Sequence, residues 1–164
     1  MPSSFRRPPN RPRTPGPICF RVAVALSLAL GGCGQERGDP STRPDSVLMV
    51  ELGLSERDEV HRVLLAGGDR EVFTPGEVGI PEGAWVEFVT VDWRVHEIRF
   101  DVDSLSAPAR AFLEGSDQLA SPPLVDQGDR FVVSFEGAPE GRYPFLAQGN
   151  GAPGRGVVIV GLNR

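Results

Sequence analysis

The chain of 164 residues holds two histidines, His61 and His96, and two cysteines, Cys19 and Cys33, so few side chains are available for metal or nucleophilic chemistry. A metal centre requires convergent ligands at fixed distances. Nothing in the spacing brings His61 to His96, and a soft-metal site on that pair would need help from Asp92, Glu97 or Asp101. Those carboxylates, with Asp103, fall on alternating and loop positions around one apolar run, which is the pattern of a solvated rim. Ser104, Ser106, Ser116, Ser121 and Ser134 lie in no nucleophile-elbow context, and two histidines leave few options for a catalytic triad. Gly149-Asn150-Gly151 precedes no helical pattern, so it does not read as a phosphate cradle. Phe73, Trp85, Trp93 and Tyr143 could form an aromatic patch for a ligand or partner, although core and rim packing accounts for at least two of them. No constellation supports catalysis, and the reading is of a protein that is not an enzyme.

These side chains must be positioned by short apolar runs separated by Gly, Pro and acidic turns: VLMVEL (47–52), HRVLL (61–65), WVEFVTV (85–91), HEIRF (96–100), RFVVSF (130–135), YPFLA (143–147) and GVVIV (156–160). Alternation within them predicts strands with one buried face. Val86, Phe88 and Thr90 share a face opposite Glu87; His96, Ile98 and Phe100 share a face opposite Glu97 and Arg99; Phe131, Val133 and Phe135 form a third row. With turns at Gly67-Gly68, Pro81-Glu82-Gly83, Gln127-Gly128-Asp129 and Pro139-Glu140-Gly141, the pattern predicts an all-β, antiparallel sandwich. Residues 101–122 break the alternation. There the Ala107–Glu114 stretch predicts one short helix in a long crossover, capped by Ser106, with Pro108 in its first turn, closed by Gly115 and packed through Phe112 and Leu113.

Residues 1–32 read as a secretory signal: a basic segment, then an apolar one, then small residues. Leu30-Gly31-Gly32-Cys33 resembles the bacterial lipobox, which implies cleavage before Cys33 and lipid on that cysteine. Only Val22–Gly32 is free of charge after Arg21, well short of the roughly 20 residues of a spanning helix. Residues 33–46 read as a polar tether and 47–164 as one domain. All 22 acidic residues follow Cys33 and only twelve of the 17 arginines do, so the mature chain carries a formal charge of −10. That surface suits neither nucleic acid nor anionic lipid, and attachment to the membrane should rest on acyl chains. With Cys19 removed and Cys33 modified, the domain has no thiol for a disulfide, a metal or a nucleophile.

The order FTPGEVGIPEGAWVEFVTVDWRVHEIRFD, followed by LASPPLVDQGDRFVVSFEGAPEGRYPFLAQGNGAPGRGVVIV, resembles the cupredoxin family and its small plastocyanin-like secreted bacterial members, over about residues 60–160. The resemblance implies a Greek-key β-sandwich in which the residue at His96 binds copper. It also implies a late loop with Cys, His and Met ligands, framed here by Tyr143, Phe145, Gly156 and Val157–Val160. At those three ligand positions stand Ala147, Asn150 and Gly154. A blue copper site needs a thiolate and two imidazoles, so His96 is the single ligand-position residue retained. It is expected instead to bond a loop carbonyl, with Asn150 helping to fill the pocket. The expected protein is therefore a lipid-anchored, cupredoxin-like binding or structural module of the cell envelope, facing the periplasm from the outer membrane, with no cofactor and an envelope protein as its possible partner. The alternative is copper binding and electron transfer of the plastocyanin-like type.

Overall fold

A computed structural model describes residues 42–161. Eight strands and two short helices follow one another as α1 (Ser46–Glu51), β1 (Val60–Ala66), β2 (Val72–Thr74), β3 (Glu77–Ile80), β4 (Trp85–Thr90), β5 (His96–Phe100), α2 (Ala107–Gly115), β6 (Arg130–Ser134), β7 (Gly141–Gly149) and β8 (Gly154–Val160). They form two four-stranded sheets, ordered β2-β1-β4-β6 and β3-β8-β7-β5. The chain crosses between the sheets repeatedly, and the result is the expected all-β, cupredoxin-like sandwich with a helix in the β5–β6 crossover. No helix among the described residues is long and apolar enough to cross a membrane. The signal segment, Cys33 and most of the expected tether lie outside the described residues.

The sheets are mixed, not purely antiparallel. β1 runs parallel to β4, and β3 runs parallel to β8. Alternation of side chains is the same in either direction, so it does not reveal strand sense; parallel neighbours need only a long connection between them. Residues 67–84 supply that connection for β1 and β4, and they contain β2 and β3.

The inward rows lie where alternation places them. Val86, Phe88, Ile98, Phe100, Val133 and Phe135 are buried, whereas Phe131 is only partly so. Phe145 of β7 sits at the centre, edge-on to Phe73 and Phe88 with ring centroids 4.9 Å away in both cases. Its cross-strand partner is Gly156, and a Cβ there would overlap the Phe145 ring. Helix α2 is capped by Ser106, whose hydroxyl accepts from Ala109 N, and it buries Ala109 and Leu113. Ser116 occupies its C-cap, one residue beyond the expected Gly115. Gly83, Gly128 and Gly141 each adopt positive φ in three of the turns read from sequence, a backbone region that favours glycine.

Two local findings differ from expectation. VLMVEL is helical over α1, because Asp45 accepts from Val47 N and Leu48 N at 3.0 Å and caps it, and because no strand neighbours it. A short apolar run suits helix or strand equally until its neighbours are known. Glu87, on the outward side of β4, is fully buried. Arg62 Nε donates to it at 2.7 Å and Arg130 Nη1 at 2.9 Å, while Asp45 accepts from the same Arg130 nitrogen at 2.6 Å. Charge burial of this kind is tolerated when every charge is paired. This cluster docks Asp45, at the end of the expected tether, onto the outer face of the first sheet.

Candidate functional site

β5 begins at His96, whose ring is completely buried. Its backbone is pinned to Leu124, His96 N donating to Leu124 O at 2.9 Å and Leu124 N to His96 O at 2.8 Å. The ring lies between two carboxylates: Nδ1 is 2.7 Å from Glu71 Oε2, and Nε2 is 2.7 Å from Asp92 Oδ1. Both ring nitrogens are thus engaged by carboxylate oxygens.

Asp92 sits in the β4–β5 turn and is held by more than the histidine. Gly67 N donates to its Oδ2 at 2.7 Å, and Arg94 N to its Oδ1 at 3.0 Å. Burial pushes the Asp92 carboxyl up, but the Gly67, His96 and Arg94 donors and the nearby imidazole charge outweigh it and bring it down to about 2. Glu71 comes from the loop between β1 and β2, where Glu71 N donates to Ala152 O and Ala152 N to Asp69 O, both at 2.9 Å. The β1–β2 loop is thereby zipped to the tip of the β7–β8 hairpin. Glu71 is buried, and its Oε1 has no hydrogen-bond partner.

The other residues singled out in the sequence are placed apart. Ala147 is fully buried within β7, opposite Ile98 on one side and Gly154 on the other. Asn150 is exposed at the hairpin tip and does not fill the pocket. His96 bonds carboxylates, not a loop carbonyl, because Glu71 reaches it first. His61 lies at the far end of β1, roughly 20 Å from Gly67 at about 3.3 Å per residue, and its Nε2 is 2.8 Å from Glu59 Oε1. Glu97 turns away and pairs with Arg99 at 3.1 Å, and Asp101 accepts from Ser104 at 2.9 Å. Tyr143 and Phe73 belong to the core, while Trp93 is 73% exposed beside Val91 and Val95.

These residues do not fit type 1 copper. Ala147 and Gly154 offer no donor atom, and both ring nitrogens of His96 are engaged. A Cβ at Gly154 would overlap the Glu71 carbonyl oxygen, and one at Gly149 would overlap Glu71 Oε1. Among the described residues, no group of three or more His, Cys, Asp or Glu side chains is arranged to hold a metal ion. Glu71 belongs to no motif; its sequence signal is alternation alone, since it stands two residues before the inward-facing Phe73 and shares its side.

No family model matches the chain, and no curated protein matches it. Solved structures of similar fold include a purple cupredoxin from Nitrosopumilus maritimus, 22% identical, covering 60% of this chain and 97% of that one with a TM-score of 0.40. Oxidised plastocyanin from Dryopteris crassirhizoma is 18% identical, with 60% and 98% covered and a TM-score of 0.41. A copper-containing nitrite reductase from Thermus scotoductus is 21% identical, with 68% of this chain but 24% of that one covered and a TM-score of 0.43. The fold stands on the strand pairing described above and not on these superpositions.

Proposed function

We propose that this chain is a lipid-anchored envelope module whose cupredoxin-like sandwich serves a binding or structural role without type 1 copper. The observation that carries this reading is the engagement of both His96 ring nitrogens, by Glu71 and by Asp92. With both nitrogens taken, a metal could reach the ring only by displacing a carboxylate from it, and no thiolate stands beside it among the described residues. Catalysis finds no support either: the imidazole is sealed from solvent, and no hydroxyl or thiol nucleophile meets it among the described residues.

Copper binding with electron transfer is kept as a second reading on one observation, the unpartnered Glu71 Oε1 close to His96 Nδ1. A cation could satisfy that oxygen. Titration of the purified protein with Cu(II) and with Cu(I), followed by desalting and metal analysis, separates the two. The expected result is no intense visible thiolate-to-copper band and no retained copper. Retention of one equivalent by the wild type, lost in His96→Ala, would establish the second reading instead.

A further inference from the structure

The Glu71 carboxylate lies in a pocket made by other parts of the chain. Glycines line it: a Cβ on Gly149 would overlap Glu71 Oε1 and lie 2.6 Å from Val95 O, and one on Gly67 would lie 3.2 Å from His96 Cε1 and 3.5 Å from Glu71 Oε1. His96 supplies the donor, and its ring is oriented independently of Glu71. Asp92 holds Nε2 and is itself held by the backbone N–H groups of Gly67 and Arg94. Removing the Glu71 side chain would therefore leave Nδ1 aimed into a space of carboxylate size. We propose that this glycine-lined pocket over His96 Nδ1 is a carboxylate-binding site, occupied in cis by Glu71.

The chemistry favours a carboxylate over other small ligands. One hydrogen bond is made at Nδ1, to a carboxylate oxygen 2.7 Å away, and such a bond with an ionised partner is about twice as strong as a neutral one. The second oxygen, Glu71 Oε1, finds no donor, so recognition rests on that single bond and on the fit against Gly67 and Gly149. Both conditions can be met by a one- or two-carbon acid. The inference rests on the metal-free reading, since a metal at Nδ1 would exclude the carboxylate from it.

Formate tests it, added to Glu71→Ala in the full chain, with thermal unfolding and the ¹⁵N resonances of the His96 ring as readouts. Formate should stabilise the variant saturably, raising its folded-to-unfolded ratio about tenfold at ten times the dissociation constant. It should also move the Nδ1 resonance toward its wild-type position. Chloride at equal ionic strength, formate on the wild type and formate on Glu71→Ala/His96→Gln should do neither. An equal formate effect in the wild type and both variants, or none in Glu71→Ala, overturns the proposal. If Glu71→Ala is unfolded without formate, recovery of structure on adding it supports the site and failure to recover overturns it. Copper retention by wild type would instead sink the metal-free reading, and the formate arm reads separately from it.

Discussion

His96 carries two hydrogen bonds of equal length to two carboxylates that differ in what else holds them. Asp92 has two backbone donors besides the ring, whereas the Glu71 carboxylate has the ring alone. Acid should reveal the Asp92 contribution. Its folded value of about 2 lies below its ordinary 3.8, so the stability it contributes is complete above the ordinary value and is lost as pH falls through the folded one. Urea unfolding of wild type and Asp92→Asn across this range should show a stability difference that is constant above about pH 5 and shrinks steadily below pH 4 toward pH 2. A difference that stays constant down to pH 2 would mean that Asp92 is not held as an ionised partner. Gly154 marks the other side of the same pocket: any side chain there meets the Glu71 backbone. Installing methionine at Gly154 would therefore displace the loop that supplies Glu71, not simply add a ligand.

At the scale of elements, α1 is the least expected piece, and it depends on one residue. Asp45 caps the helix through Val47 N and Leu48 N, and it also accepts from Arg130, which shares Glu87. Burial pushes the Asp45 carboxyl up, but the Leu48 and Val47 amides and the Arg130 guanidinium more than offset this and hold it below its ordinary value. Asp45→Ala should destabilise the domain by about 0.5–2 kcal/mol, the usual range for loss of an aspartate cap. Chemical denaturation checks the size, and hydrogen exchange should show faster opening at Leu48 and Met49 than in the sheets. A loss below about 0.3 kcal/mol, within the range of an ordinary surface change, would mean that α1 is not fastened by its cap. The helix otherwise buries only Leu48, so little else is available to hold six residues in place.

For the whole molecule, the expectation that bears on where it works is the lipobox. Expressed in a Gram-negative host, the full chain should partition with membranes and incorporate labelled acyl chains, and Cys33→Ala should abolish both labelling and processing. Processing and acylation of C33A at the wild-type level would remove the anchor from the proposal. The core of the folded region, with Phe73, Phe88, Phe100, Phe135 and Phe145 packed among the two sheets and helix α2, draws on residues 63–160 and does not involve that anchor.

Much of this architecture was legible in one dimension, for a physical reason. Alternation over His96–Phe100, Val86–Thr90 and Phe131–Phe135 is local, since a strand's two faces are set by neighbours one and two residues away. Ser106 and Pro108 likewise announce α2 through bonds within its own first turn. What the sequence could not determine depends on partners distant along the chain. The parallel pairing of β1 with β4 and the burial of Glu87 between Arg62 and Arg130 require contacts across 25 to 43 residues, whereas the helical state of Ser46–Glu51 rests on the local Asp45 cap, which an apolar run alone does not announce. The site belongs to that second group. Ala147, Asn150 and Gly154 carry no thiolate or imidazole, which their types alone show, but only the folded chain brings Glu71 across 25 residues to His96 and puts a carboxylate against the imidazole.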